Sequence, residues 1–218
     1  MTTQETIGER LRAARLERKM SLRHLAQEVG VSASLISQVE TGKTRPSVAT
    51  LVSLANLLGI SIDEVLGLEV DHQGEDEYTD LRTLGPEIQR AAENPTIEME
   101  NGVRWERLAM GRNSPAEAMV VTYEPGATSS VEGKLMRHTG IEYAYIIEGV
   151  LTFQLEFETY QLERGDSLRF NSARPHMFSN LGDVPARGVW FTLGRHSAEV
   201  LPRGRGSVAG ALRHADGP

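Results

Sequence analysis

The sequence predicts a multidomain α plus β chain, an all-helical N-terminal unit followed by an all-β unit, and three observations carry that prediction. Apolar residues recur at helical spacing, punctuated by hydroxyl N-caps and terminal glycines, as far as about Leu68. An acidic stretch with few large apolar residues comes next. From Ile97 onward the apolar period shortens to two, and glycines or prolines separate most of the runs.

Thr6 and Glu9 have capping-box spacing and open a first helix that buries Ile7, Leu11 and Ala14. Arg10, Arg12, Arg18 and Lys19 decorate its outside as an ordinary solvated face. Ser21 caps a second helix, with Leu22, Leu25, Ala26 and Val29 on one face, and Gly30 breaks it. Ser32 caps a third, whose stripe is Leu35, Ile36 and Val39; Gly42 terminates it and Pro46 lies beyond. This phasing leaves Ala33, Ser34, Ser37 and Gln38 facing away from the core. Such a face is short, uncharged and rich in hydrogen-bonding groups, which suits a helix that enters a major groove and reads base edges. Ser47 caps a fourth helix with apolar positions Leu51, Leu54, Ala55 and Leu58, ended by Gly59. Ser61 and Glu64 form another capping box, for a short last helix ending at Leu66.

The stretch from Met20 to Pro46, MSLRHLAQEVGVSASLISQVETGKTRP, resembles the helix-turn-helix of the phage-repressor-like (Cro/cI, or XRE) DNA-binding regulators. The resemblance extends from about Ile7 to Gly67 and implies a five-helix, lambda-repressor-like domain spanning residues 1–68. Carried over by position, it implies that Ser34 and Gln38 face bases, with Ala33 and Ser37 beside them. Ser32, Lys43, Thr44 and Arg45 would meet phosphates at the helix N-terminus and the following loop. Arg15 and Glu40 match positions of a structural ion pair and are left out of the reading surface. The partner implied is a double-stranded operator, bound by a homodimer whose two recognition helices lie about 34 Å apart.

The formal net charge of -7 fits a DNA-binding chain only once it is divided along the sequence. Residues 1–68 carry eight Lys or Arg against seven Asp or Glu, a net of +1, whereas residues 69–100 carry two against ten, a net of -8. Phosphate attraction acts over a Debye length of roughly 8 Å, so an acidic segment held away from the reading surface does not prevent binding. Residues 69–96 read as a linker, in which the placement of Pro86 allows a short helix to Ala92. There are no cysteines, which excludes disulfides and thiolate metal sites. No apolar run approaches the roughly 20 residues of a membrane span, and the N-terminus lacks the apolar core of a signal peptide. A cytoplasmic location without membrane contact is the expectation.

In the β unit, Leu151, Phe153, Leu155 and Phe157 alternate with Thr152, Gln154, Glu156 and Glu158, as in a strand with one buried face. VRWERLAM, AMVVTYE, EYAYIIEG, DSLRF and RGVWFTL are the other strand-like runs, and so many short strands in roughly 100 residues argue for a sandwich or small barrel. Met136, His138 and Glu142 share a parity on extended chain, and Gly165, His176 and Asn180 lie in a second polar segment. The spacing His138, Glu142, Gly149 together with the second segment resembles the two signature motifs of the cupin family, a double-stranded β-helix or jelly-roll barrel. That resemblance covers about Ile97 to Arg195 and places the domain at residues 97–198, with a Gly- and Arg-containing, disordered tail at 199–218. The second motif departs from the family in Asn171 and Ala173, where Pro and Gly are usual.

Metal-binding cupins carry a first histidine where this chain has Met136. His138, Glu142 and His176 remain, a set able to hold Zn, Fe, Mn or Ni facially with open positions, although a thioether is a poor fourth ligand for such cations. The alternative is a metal-free pocket in which the three residues bind a polar ligand. Met136, Tyr145, Phe178 and Trp190 are further pocket candidates, with Arg169 and Phe170 as weaker ones and Arg174 at the mouth, while Arg137 faces out. Cupins fused to such headpieces resemble this one in lacking the first histidine, which points away from catalysis. The function expected is a DNA-binding transcriptional regulator, not an enzyme, whose cupin domain senses a small molecule. The alternatives are a metal-dependent oxygenase or isomerase carrying a DNA-binding headpiece, and a cupin that serves only as a dimerisation scaffold.

Overall fold

The fold is described from a computed structural model over residues 6–68, 88–109, 116–131 and 133–194. The acidic segment 69–87 and the C-terminal residues 195–218, where a linker and a disordered tail are expected, lie outside the described residues. Among the described residues there are five α-helices and nine strands. The helices are α1 (Ile7–Glu17), α2 (Leu22–Val29), α3 (Ala33–Glu40), α4 (Val48–Leu58) and α5 (Ile62–Leu66). Each starts where a hydroxyl can satisfy a free backbone donor: Thr6, Ser21, Ser32, Ser47 and Ser61 all accept from an amide three residues on. The reciprocal carboxylates of Glu9 and Glu64 complete both expected capping boxes.

Leu11, Leu25, Ile36, Leu51, Leu54 and Leu58 form the core of the helical unit, all nearly or fully buried. Arg15 and Glu40 form a bidentate pair inside it, Nε to Oε1 at 2.6 Å and Nη2 to Oε2 at 2.8 Å, tying α1 to the end of α3. The glutamate carboxylate, by accepting from Arg15, holds the guanidinium above its ordinary pKa.

The strands are β1 (Thr96–Glu98), β2 (Val103–Arg107), β3 (Ala116–Tyr123), β4 (Ile141–Glu148), β5 (Leu151–Leu155), β6 (Glu158–Leu162), β7 (Ser167–Asn171), β8 (His176–Ser179) and β9 (Ala186–Leu193). They pair antiparallel in a six-stranded sheet ordered β1-β2-β3-β9-β4-β7 and a three-stranded sheet ordered β6-β5-β8. These two sheets are the walls of the jelly-roll. Inward parity on β3 falls on Met119, Val121 and Tyr123, on β9 on Trp190 and Thr192, and on β4 on Glu142, Ala144 and Ile146.

Three expectations need correction. Of the segment expected as a helix from Pro86 to Ala92, residues 86–87 lie outside the described residues, and the remainder is extended at Arg90 and makes only a 3-10 turn at Ala91–Glu93. Asn94 precedes a proline and is held in the extended region, so a helix cannot propagate through it. Phe157 does not continue the buried face of β5: Leu155 already pairs with Glu158, Glu156 takes a positive φ in the turn, and Phe157 is fully exposed at the hairpin tip. Tyr145 and Arg169, expected near the pocket, point outward, because parity set by Glu142 puts Ala144 and Ile146 inside instead.

The helical unit and the barrel pack against each other. The amide of Ala49 donates to the Ser129 carbonyl at 2.9 Å, and the Glu100 amide donates to the Pro46 carbonyl at 3.0 Å. Arg107, on the inward parity of β2, reaches Asp63 of α5 with Nε–Oδ1 at 2.6 Å and Nη2–Oδ2 at 2.7 Å. Its third nitrogen donates to the Leu108 carbonyl at 3.0 Å, so a guanidinium that is only 3% exposed is satisfied on every side.

Candidate functional sites

Two sites emerge, one on the surface of α3 and one inside the barrel. On α3 the core-facing residues Ile36 and Val39 are buried, while Ser34 and Gln38 are exposed and Ala33 and Ser37 half-buried. Gln38 Nε2 donates to Ser34 Oγ at 3.4 Å, one turn earlier, which aligns two polar groups on the outer face. The loop after α3 folds back on the helix: the Lys43 amide donates to the Gln38 carbonyl at 2.8 Å. That return places the exposed side chains of Lys43 and Arg45, with the half-buried Thr44 between them, just beyond the C-terminal end of α3. Ser32 Oγ accepts from the Leu35 amide as the cap, and its hydroxyl hydrogen can still donate.

Inside the barrel, His138 arrives just before β4, Glu142 on β4 and His176 at the start of β8. All three are buried, and their ligating atoms lie within 4.8 Å of one another. His138 Nε2 is 2.7 Å from Glu142 Oε1, and His176 Nε2 is 3.7 Å from the same oxygen. Nδ1 of His176 lies 2.8 Å from the Arg174 carbonyl and Nδ1 of His138 lies 3.3 Å from that of Thr139. A carbonyl can only accept, so a proton on each Nδ1 would satisfy both contacts and leave the Nε2 lone pairs to share a cation with the carboxylate. Two imidazoles and a carboxylate converging in a buried site is the donor set of a divalent cation, and the backbone contacts are the usual orienting support of such ligands. The residues therefore fit a metal. His138, Glu142 and His176 would hold it, and it would supply Lewis acidity or a ligand-binding position.

Met136 is locked beside this cluster by a two-way backbone bridge to His176, at 2.9 and 3.0 Å. Phe178 and Trp190 meet edge to face with ring centroids 5.6 Å apart, behind the cluster, and Phe170 supports His176 at 4.7 Å. Tyr123 also faces the chamber; burial raises the pKa of its hydroxyl, and the Glu142 charge adds to the effect, so it stays a neutral donor. Arg174 pairs with Glu156 at the barrel rim and does not enter.

Sequence reasoning missed seven residues of this site, among them Val121, Tyr123 and Thr192 on the strands. Val48 and Val52 of α4 line the same chamber as His138 and Glu142, together with Trp105 and Met119. The signal was present, since α4 is apolar on two faces, Leu51 and Leu58 on one and Val48 and Val52 on another, as in a helix sandwiched between two partners.

Comparison with known proteins gives a consistent picture. The helix-turn-helix family matches residues 11–65 and the cupin domain family residues 119–192. The chain is 30% identical over 175 residues to the HTH-type transcriptional regulator PuuR of Escherichia coli, across 79% of this chain and 86% of that protein. It is 24% identical over 179 residues to the HTH-type transcriptional regulator SutR of the same organism, with the same shares covered. A crystal structure of an HTH_3 family transcriptional regulator from Vibrio cholerae superposes with a TM-score of 0.60 at 21% identity, covering 86% of this chain and 94% of that one. The two-part fold is thus shared along nearly the whole of that structure.

Proposed function

This chain belongs to the helix-turn-helix transcriptional regulators that carry a cupin domain, and from that premise we propose that it binds a specific operator and that barrel occupancy sets the affinity. The observation that carries the reading is the pairing of an exposed, uncharged polar face on α3 with a buried His-Glu-His cluster in a domain packed directly on the same helical unit. Gln38 and Ser34 read bases, Ala33 and Ser37 pack against the groove floor, and Ser32, Lys43, Thr44 and Arg45 hold phosphates. The protein acts as a homodimer, because one short recognition helix reads too few base pairs for specificity and two on a near-palindrome double the contact. It works in the cytoplasm, where its DNA is; among the described residues no helix is long and apolar enough to cross a membrane. The effector is a small molecule, bound with a divalent ion at His138, Glu142 and His176.

An enzymatic role fits less well. The relatives matched along most of the chain are named as regulators, and Met136 removes the fourth ligand that a catalytic cupin site would use.

The test is selection of duplexes from a random pool by the full-length protein, followed by titration of the enriched sequence. Enrichment of a two-fold symmetric motif is expected. Gln38→Ala should relax specificity at one position of each half-site by about 1–3 kcal/mol. Lys43→Ala should weaken all sequences alike and lower the salt slope by about one. Failure to enrich any motif, or equal loss on specific and random DNA for Gln38→Ala, would count against the reading.

A further inference from the structure

The barrel chamber is smaller than its sensing role requires. Its free volume is about 30 Å³, room for an ion with a water or two, whereas sites for metabolites run to roughly 300–1,000 Å³. Next to it lies a cavity of about 480 Å³ between the helical unit and the barrel, lined among others by Val31, Ser47, Thr50, Lys134 and Met136. Met136 lines both spaces and is the partition between them. Helix α4 also touches both, with Val48 and Val52 in the chamber and Ala49, Thr50 and Ser53 in the cavity.

We propose that the effector site spans the two domains: the metal cluster is its inner end, the interdomain cavity its outer end, and α4 with Met136 the wall that moves to join them. The occupant is a small molecule with an oxygen or nitrogen head for the cluster and a compact apolar body against Val48, Val52 and Trp105. Because Ser47, the N-cap of α4, lies two residues after Arg45, displacement of the helix moves the phosphate-holding loop. Occupancy is then read at the DNA without a long relay. The Arg107–Asp63 pair acts as the hinge-side anchor, holding α5 on the barrel while α4 lifts.

The inference rests on the reading of the barrel as the sensor, and its test contains no DNA, so a failure of one does not carry the other. The chain has no cysteine, so Val52→Cys introduces a single thiol at a position only 1% exposed. Its rate of modification by a thiol reagent in the full-length protein measures opening of α4. Val39→Cys, buried in the helical unit away from the chamber, reports general unfolding. Val121→Trp, which fills the chamber from β3, should raise the rate at position 52 by about tenfold or more and leave the rate at position 39 within about twofold. Val121→Phe is the milder fill if the larger one does not fold. Zn²⁺ alone fits the chamber and should not raise the rate at position 52, since an ion held beside the new thiol can only shield it. The proposal is overturned if filling raises both thiols equally, if it raises neither, or if Zn²⁺ alone releases the thiol on α4.

Discussion

Glu142 stands between two imidazoles whose outer nitrogens are already committed to the backbone, so its carboxylate and their inner lone pairs form one binding unit. Zinc or nickel titration of the full-length protein should saturate at one ion per chain, and Glu142→Gln or His138→Ala should abolish tight binding. The loss should exceed the roughly 10–100-fold that changes in orienting partners cost, because a ligand itself is removed. Met136→His restores a fourth ligand and should tighten binding, by about tenfold or more on the same reasoning. Retention of the ion in both deletion variants, after dialysis and elemental analysis, would remove the cluster as the metal site. At this scale the sequence was readable where parity was anchored: Met136, His138 and Glu142 share one parity, and the structure puts all three in the chamber. Tyr145 was misplaced because an aromatic on a strand suggests core, whereas the parity of Glu142 on the same strand already assigned it outward. Arg107 followed the inward parity of Val103 and Trp105, but nothing local could name Asp63, 44 residues earlier, as its partner.

Helix α1 contains a glycine whose replacement separates propensity from packing. Gly8→Ala would be worth about 1 kcal/mol of helix stability in isolation. Here a Cβ at Gly8 would fall 2.3 Å from the Val39 carbonyl and 2.8 Å from that of Glu40. The variant should therefore lower thermal stability and loosen the C-terminal turn of the recognition helix, which thermal melts and operator titration would show together. A more stable Gly8→Ala protein would mean that α1 does not seat against α3 as described. The same seam carries Arg15–Glu40, where Arg15→Ala should cost about 3–5 kcal/mol by stranding a buried carboxylate, while replacing both residues by methionine should cost far less. Denaturant unfolding of the single and double variants decides between the two. Helix boundaries were legible because each begins at a hydroxyl cap and three end at a left-handed glycine. The second apolar face of α4, Val48 and Val52, was present in the sequence but went unread, since a stripe of Leu51, Leu54, Ala55 and Leu58 already accounts for one partner.

At the scale of the molecule, α3, the loop after it and α4 follow one another directly, and Val48 and Val52 of α4 face the chamber that holds His138 and Glu142. The acidic charge that dominates the sequence lies mostly between the two units and leaves the helical unit at +1, so the proposed phosphate contacts would rest on a few placed cations instead of bulk charge. Were two such chains to pair on a two-fold operator, as proposed, half-site spacing would add specificity and a shift of α4 would be felt there. Coupling of this kind is typically about 1–3 kcal/mol, or 5- to 150-fold in affinity. The most direct test is the affinity of the enriched operator for the full-length protein with the chamber open and filled, wild type against Val121→Trp, at one fixed salt concentration. A change of at least about fivefold, with the melting transition of the helical unit preserved, is the result predicted. Equal affinities in the two proteins, with the Val52→Cys thiol shown to be released in the filled one, would contradict the claim that the barrel speaks to the DNA through α4.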